Sequence, residues 1–413
     1  MRTPTRRRSA ATVILVSLGF VSLGLPEGSL GVAWPSIREA FDLPLDALGF
    51  LLAAFATGYF ISSAVSGRVL ARFGVGTSLS GSCALTGLSL LGYALSPAWT
   101  SMVVLGALLG LGAGIIDGGL NTYAAVQHGS RVLNWMHAAF GLGAALGPLL
   151  MTAAINSGLG WHVGYAIVAL AQLGLALGYF VTRHRFATPE RATEMATEAV
   201  AGRPPPALLR NPLMWVSALL FFVYVGLEAA AGQWTFSLFT LGRDTPTTIA
   251  GVLISAYWGS LTIGRILFGV LVTRIASDTL LRACMVACVI SAALIWANIP
   301  VLSWLGLALL GLMLAPIFPV LIAETPSRLG VSKTGDAIGL QVAAAVLGGA
   351  AIPAAVGVLA ARLSLEVVGA CLVGAGLVLL VLHEALIKLS RASAPPRSGK
   401  SRTVEGESSP PGA

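Results

Sequence analysis

The sequence predicts an all-α membrane protein whose twelve transmembrane helices form two pseudo-symmetric six-helix bundles. Of its 413 residues, 56% are hydrophobic and only 10% are charged, whereas a soluble domain carries roughly a quarter charged residues. Apolar windows of about 20 residues, the length that crosses a bilayer, occur twelve times. One long polar connection separates six windows from six, and the two sets share residues at a nearly constant offset.

The twelve windows are joined mostly by very short connections, so consecutive helices must run antiparallel. Because the chain has too few charges to cover a surface of its own, lipid must be its main solvent. We expect the helices at residues 11–33, 46–68, 75–96, 99–122, 134–157, 161–182, 212–236, 247–271, 279–299, 301–323, 336–360 and 365–388.

The long connection divides the chain into two halves. Residues 183–211 are rich in charge, Ala and Pro, and we interpret them as a cytoplasmic linker. It separates an N-terminal six-helix bundle at residues 11–182 from a C-terminal one at residues 212–388. Residues 1–10 are expected to form a cytoplasmic tail. The Pro-, Ser- and Gly-rich residues 389–413 are expected to form a disordered cytoplasmic tail.

The basic residues are distributed asymmetrically across the predicted membrane. Twenty-one of the 25 Lys and Arg residues fall on one side, Arg38, Arg243 and Arg362 fall on the other, and Arg265 lies within a span. The positive-inside rule then places both termini in the cytoplasm of a cell (inner) membrane protein. This pattern accounts for the net charge of +8 without a nucleic-acid partner. The first apolar run is about 20 residues long without a clear cleavage site, which favours an uncleaved helix over a signal peptide.

The two halves carry matching residues. The acidic residues Glu27 and Glu228 lie 201 positions apart, each in the first helix of its half. A nearly constant offset indicates duplication of a six-helix unit, and parallel halves around a midplane binding site are a known transporter plan. The other pairs, at offsets of 201 to 205, are Gly31 with Gly232, Gly58 with Gly259, Gly67 with Gly269, and Pro148 with Pro353.

The residue patterns that mark enzymes do not occur in the sequence. There is no Gly-rich phosphate loop followed by Lys-Ser or Lys-Thr, and no Ser-His-acid or metal-ligand spacing. The four cysteines lie in apolar spans, where they serve as small packing residues. We therefore expect no enzyme activity, no cofactor and no metal ion.

The helix layout resembles that of the major facilitator superfamily over residues 10–390, which implies the fold of that superfamily. Local motifs are similar to those of the fucose–proton symporters and their hexose-transporting relatives. In the seventh helix the similar pattern is Phe222-Val223-Tyr224-Val225-Gly226-Leu227-Glu228, followed by Gly232 and Trp234. In the fourth and fifth helices it consists of Asp117, Asn121, Arg131, Leu133, Asn134, His137, Gly141, Gly143 and Pro148.

The sequence departs from these families at several places. The superfamily usually carries an acid in the loop after the second helix, where this chain has Ala71, and the second-half copy has Thr273. The first-helix acid of the fucose symporters corresponds to Gly31, whereas the acid here is Glu27, one turn earlier. A partial match to the fifth-helix motif of drug–proton antiporters consists of Gly143, Gly147 and Pro148.

Ionisable side chains within a membrane span are costly and mark functional candidates. Burial favours the protonated form of a carboxylate, which suits a proton-coupled carrier. The alternative for each candidate is structural, as an acid or histidine that pairs with a neighbouring helix. The candidates for proton coupling are Asp117, Glu228, Glu27 and His137.

Neutral polar and aromatic side chains in the spans are candidates for substrate binding. Such groups can hydrogen-bond or stack on a sugar, and they equally form interhelical contacts. By the same reasoning Gln172 is assigned to an interhelical hydrogen bond, and Arg265 is expected to snorkel to the nearer membrane surface. The substrate-binding candidates are Asn121, Asn134, Tyr224, Gln233, Trp234 and Gln341.

The sequence favours a secondary transporter that moves a small polar solute, a monosaccharide, by proton symport with alternating access. One alternative is a proton-coupled antiporter that exports drugs or metabolites, and another is a membrane sensor that transports nothing. The expected partners are a small-molecule substrate, protons and the lipid bilayer, and the protein is expected to be a monomer.

Overall fold

A computed structural model describes residues 4–127, 130–186, 206–271, 274–330 and 333–393. The secondary structure of this part of the chain is helical, without strands. Most of the predicted linker and of the predicted C-terminal tail, at residues 187–205 and 394–413, lies outside the described residues, as does the start of the N-terminal tail.

Twelve membrane crossings follow one another in the described chain, and the tenth consists of two helical segments. The first six helices are α1 (Pro4–Ala40), α2 (Leu48–Phe73), α3 (Val75–Ala94), α4 (Trp99–Gln127), α5 (Ser130–Asn156) and α6 (Gly160–Thr182). The second six are α7 (Pro212–Ser237), α8 (Thr247–Leu271), α9 (Ser277–Trp296), α10a (Pro300–Leu314) with α10b (Ile317–Leu329), α11 (Thr334–Arg362) and α12 (Val367–Ser393).

The predicted fold class is confirmed. Eleven helical segments of the described chain are long and apolar enough to cross a membrane. Helix α3 completes the twelve with 20 residues, and its many Ser, Thr and Gly residues lower its hydropathy. Several helices extend beyond the predicted windows because backbone hydrogen bonding continues into polar ends that hydropathy does not detect. The break in the tenth crossing lies at Pro316, which lacks the N–H group that would continue the helix.

The two bundles repeat the same set of helix pairs. In the first bundle α1 packs on α5, α2 on α4, and α3 on α6. In the second, α7 packs on α11, α8 on α10a, and α9 on α12. Between the bundles α5 contacts α8, α2 contacts α11, and α1 contacts α7. This shared pairing is what duplication of a six-helix unit produces.

The contact between the bundles extends from one end of the molecule to the middle of α5 and α8, where a Cβ on Gly141 would lie 2.0 Å from Thr262 Oγ1. We call the end at which α6 ends and α7 begins the linker side, and the opposite end the far side. On the far side, Asn156 Nδ2 donates to Thr248 Oγ1 at 2.8 Å, and Thr247 Oγ1 donates to Asn156 Oδ1 at 2.7 Å. Near the linker-side end of α11, a Cβ built on Gly335 or Gly339 would meet no atom within 4 Å.

A stripe of glycines on α4 forms its contact with α2. The sequence spaces Gly106, Gly110, Gly114 and Gly118 four residues apart. The resulting stripe faces α2 along its length, and a Cβ at Gly110 would lie 2.0 Å from the Phe55 carbonyl oxygen. Small residues let transmembrane backbones approach this closely. The stripe therefore fixes the rotation of α4 about its axis. This rotation sets the direction in which the neighbouring side chain of Asp117 points.

We predict that Gly110→Ala destabilises the purified protein by about 1–3 kcal/mol, the usual effect of overpacking. The added methyl group would press on backbone atoms of α2, which cannot move as a flexible side chain does. Thermal unfolding in detergent measures the effect. Gly174→Ala on α6 is the matched control, because its Cβ would meet nothing within 4 Å and Ala favours the helix. Equal unfolding temperatures for the two variants would contradict the packing argument.

Candidate functional site

A cavity of about 270 Å³ lies between the bundles. All six helices of the N-terminal bundle contribute to its wall, together with α7 and α11 of the C-terminal bundle. Most of the lining is apolar, and no Lys or Arg occurs among the described residues that form it. The polar lining residues are Ser22, Glu27, Tyr59, Thr86, Tyr93, Asp117, Tyr165, Gln172 and Gln233.

Asp117 lies in the cavity wall beside the glycine stripe of α4. Tyr59 OH of α2 donates a hydrogen bond to Asp117 Oδ2 at 2.8 Å, and Asn121 Nδ2 donates to Oδ1 at 3.0 Å. Both donors are neutral, so they orient the carboxylate without cancelling its charge. The arrangement can hold either a proton or the hydroxyl of a ligand at this position.

Glu27 is the second carboxylate of the wall and comes from α1. It follows Pro26, which lies inside the helix and interrupts the backbone hydrogen bonding there. Gln233 Nε2 of α7 donates to the backbone oxygen of Glu27 at 3.4 Å, which links the two bundles at the cavity. Since Glu27 and Asp117 are the charged members of the described lining, the cavity is acidic.

A third acid, Glu228 on α7, lies outside the described lining of the cavity. Tyr224 OH donates to Glu228 Oε2, and Arg265 Nη2 of α8 lies 3.8 Å from Oε1. Tyr257 OH donates to the Glu228 backbone oxygen at 2.8 Å. An acid and a base buried together stabilise each other's charge. The expectation that Arg265 snorkels to the surface is wrong, because an acid within reach binds it inside the bundle.

Comparison with known proteins identifies the family. A family model described as the Major Facilitator Superfamily matches residues 16–353. The chain belongs to this superfamily. The resemblance seen in the sequence motifs is thereby confirmed, and the chain is a multi-pass membrane transporter rather than an enzyme.

One curated relative matches over most of its length. The glucose/mannose transporter GlcP of Bacillus subtilis (strain 168) is 25% identical over 347 residues, which cover 82% of this chain and 85% of that protein. This identity is low, so the solute named for GlcP belongs to GlcP and enters below as support for a proposal.

Solved superfamily structures share the fold. The nucleoside transporter NupG has a TM-score of 0.76 at 14% identity and covers 91% of this chain and 98% of its own. A D-xylose–proton symporter has a TM-score of 0.71 at 16% identity, covering 89% and 96%. The transporter FucP in its outward conformation has a TM-score of 0.60 at 16% identity, covering 91% and 98%.

The structure separates the predicted proton-coupling residues of this superfamily member into two groups. Asp117 and Glu27 line the cavity, whereas Glu228 pairs with Arg265 behind it. His137 packs its ring edge-on against Phe20 with centroids 5.3 Å apart, and it lies within electrostatic range of both Asp117 and Arg265. It is therefore near both groups, and it lies outside the described lining of the cavity.

The predicted substrate-binding residues divide in the same way. Gln233 lines the cavity, and Asn121 supports it indirectly by donating to Asp117. Tyr224 binds Glu228, as described above. Trp234 and Gln341 form packing contacts: Trp234 Nε1 donates to the Pro353 oxygen at 2.8 Å, and Gln341 Nε2 donates to Ser217 Oγ at 2.7 Å. The side chain of Asn134 lies outside the described residues.

Sequence reasoning missed part of the wall. Tyr165 is absent from the predicted candidates, yet it lines the cavity from α6. Gln172, for which the sequence favours an interhelical hydrogen bond over a ligand contact, makes that bond with Thr86 and also lines the cavity. Tyr165 and Gln172 lie seven positions apart, which places them two turns apart on one helix face. This spacing was a usable signal. Among the described residues, no group of three or more His, Cys, Asp or Glu residues has the arrangement of a metal site.

Proposed function

We propose that this superfamily member imports a monosaccharide by proton symport, through alternating access of its central cavity. The acidic cavity between the bundles carries the proposal, because a protonatable carboxylate and a substrate would share one compartment there. At about 270 Å³ the cavity falls just below the range of roughly 300–1,000 Å³ that suits drug-sized ligands. The glucose and mannose named for the GlcP relative and the xylose–proton symport of a structural neighbour agree with it.

The contacts between the bundles support alternating access. The far side is closed by the hydrogen bonds of Asn156 with Thr247 and Thr248. Near the linker-side end of α11, Gly335 and Gly339 are exposed, and a Cβ on either would meet no atom within 4 Å. With the linker side in the cytoplasm of the inner membrane, as the positive-inside rule places it, this is an inward-facing state of a monomeric carrier with both termini cytoplasmic. Rocking of the halves about the cavity would produce the outward-facing state.

The proposed cycle couples a proton to the substrate through Asp117. An ionised carboxylate is costly to enclose away from water. A proton taken up from outside removes that charge, and the substrate supplies polar partners for the cavity wall. The loaded cavity then closes on the far side and opens on the linker side, where substrate and proton leave.

Uptake into proteoliposomes tests the proposal. We expect D-glucose or D-mannose to accumulate when an inward proton gradient is imposed. We expect no accumulation when the gradient is absent or is replaced by a sodium gradient. Accumulation of a nucleoside instead would redirect the substrate, and sugar uptake indifferent to the proton gradient would reject symport. A sugar that stabilises the protein without any flux would indicate the sensor alternative.

The largely apolar lining of the cavity favours a second candidate, a proton-coupled antiporter of lipophilic cations. Two carboxylates without a basic residue in the described lining would attract such a cation. The two candidates differ in the direction of proton movement. In detergent, substrate binding to a symporter is accompanied by proton uptake, whereas binding to an antiporter releases a proton, and a pH-indicator dye distinguishes them.

A further inference from the structure

The lining of the central cavity extends further into the N-terminal bundle than into the C-terminal bundle. Besides the helices that face the other bundle, it reaches Thr86 and Tyr93 on α3 and Tyr165 and Gln172 on α6. In the C-terminal bundle its described lining comes from α7 and α11, and not from α9, α10a, α10b or α12. The two halves are built on the same plan, so this asymmetry needs a cause in the side chains.

Three polar atoms beside this cavity have no hydrogen-bond partner. They are Gln172 Oε1, Tyr165 OH and Gln233 Oε1, and their side chains belong to residues that are 1%, 1% and 3% exposed. Buried polar groups are normally paired, and each exception calls for an explanation. All three residues line the cavity, so a ligand there is the partner that would complete them.

The side-chain amide of Gln172 is hydrogen-bonded through its nitrogen, which leaves its oxygen unpaired. Its Nε2 donates to Thr86 Oγ1 at 2.6 Å, and Thr86 Oγ1 in turn donates to the Cys83 backbone oxygen at 3.0 Å. This chain of bonds fixes the amide and uses one of its two N–H donors. The amide oxygen is the acceptor that remains beside the cavity, and a small shift of the surrounding side chains would let a ligand hydroxyl donate to it.

We propose that Gln172 and Tyr165 form a hydroxyl-binding subsite on α6, and that this subsite selects a neutral, polyhydroxylated ring. The proposal rests on the proposed function and assigns substrate selection to residues within it. Two amide oxygens and two carboxylates are acceptors, so they match a ligand rich in O–H donors. They disfavour phosphorylated or acidic sugars, because Asp117 and Glu27 would repel a negative charge and no described lining residue is basic.

The duplicated half has no amide that corresponds to Gln172. At the offsets of 201 to 205 that relate the halves, the positions matching Gln172 are the apolar residues 373–377, of sequence Val-Gly-Ala-Gly-Leu. The positions matching Thr86 are residues 287–291, of sequence Ala-Cys-Val-Ile-Ser, where a hydroxyl occurs at Ser291. The N-terminal half has therefore gained polar groups at the subsite, or the C-terminal half has lost them, and the ligand is held asymmetrically.

Binding of sugars to the purified full-length protein tests the subsite. D-glucose, D-mannose, D-galactose and D-xylose are titrated first, followed by each monodeoxy analogue of the best binder. We expect one monodeoxy analogue to bind about tenfold more weakly than its parent, the effect of one lost hydrogen bond. In Tyr165→Phe or Gln172→Met the parent sugar should itself bind about tenfold more weakly, and the penalty for that analogue should disappear.

Tyr165→Phe is the cleaner variant, because its hydroxyl has no partner in the protein and its removal leaves the ligand-free fold intact. The matched control is Tyr179→Phe, whose hydroxyl donates to the Leu15 oxygen at 2.8 Å and which does not line the cavity. The control should lower the unfolding temperature and leave sugar binding unchanged. If both α6 variants still bind the parent sugar about tenfold more tightly than the analogue, as the wild type is expected to do, the subsite is overturned but the proposed function is not. If the wild type binds none of the four sugars, the proposed function is overturned as well.

Discussion

Asp117→Asn is expected to abolish accumulation of the substrate while preserving its exchange across the membrane. With one proton per substrate, a gradient of one pH unit sustains about tenfold accumulation in the wild type, since 1.4 kcal/mol corresponds to a factor of ten. Asn resembles the protonated carboxyl group: its oxygen can still accept from Asn121, and its Nδ2 can donate to the Tyr59 hydroxyl, which reverses the wild-type bond. It cannot release a proton. The accumulation ratio should fall to about 1, as measured by radiolabelled sugar in proteoliposomes.

Asp244→Asn is the matched control for this substitution. Asp244 is an exposed acid outside the described cavity lining, and its positive φ of 50° is one that Asn adopts readily. The Asp244→Asn variant should accumulate sugar to the same ratio as the wild type. Undiminished accumulation by Asp117→Asn would remove Asp117 from the coupling mechanism, and loss in Glu27→Gln alone would transfer the role to the other carboxylate of the cavity.

Gly31→Leu is expected to reduce transport by about 10- to 100-fold. A Cβ on Gly31 of α1 would lie 2.6 Å from the Gly232 oxygen and 2.9 Å from the Gln233 Cα of α7, both backbone atoms of the other bundle. Overpacking of this kind typically costs about 1–3 kcal/mol, which corresponds to that range. The larger side chain should hold the bundles apart on the far side and favour the outward-facing state, so that sugar binding persists while transport fails.

Cysteine labelling reports this shift directly. Thr152 is buried against Gly251 at the contact of α5 with α8, so Thr152→Cys should react slowly in the wild type. In Gly31→Leu it should react faster, with Cys371 replaced by Ser to remove background labelling. Gly174→Leu, which adds the same side chain where a Cβ meets no atom within 4 Å, should leave both transport and labelling unchanged. Wild-type transport by Gly31→Leu would show that the α1–α7 contact does not control the transition.

The sequence was sufficient for the fold because the fold depends on hydropathy and on small residues. Apolar windows of fixed length identify the crossings, and the glycine stripe of α4 identifies a close helix contact. The stripe also predicts the position of Asp117, since a side chain at the edge of a packed face points past the neighbouring helix.

The rotation of the other helices was not readable from the sequence. Gln233 and Trp234 are adjacent, yet one lines the cavity and the other donates to α11. Nineteen of the 26 residues of α7 are buried, and most of them are apolar, so no amphipathic pattern shows which face meets the cavity. The pairing of Glu228 with Arg265 could not be predicted either. Arg265 comes from a different helix, and its side chain could equally have reached the membrane surface.

External pH recorded during sugar entry tests the central claim most directly, namely that one carboxylate-lined cavity carries proton and sugar together. Adding sugar outside unbuffered proteoliposomes should make the medium more alkaline, with protons and sugar entering at a constant ratio. The pH change should be absent in Asp117→Asn and present in Asp244→Asn. Sugar entry without proton movement in the wild type would contradict the account.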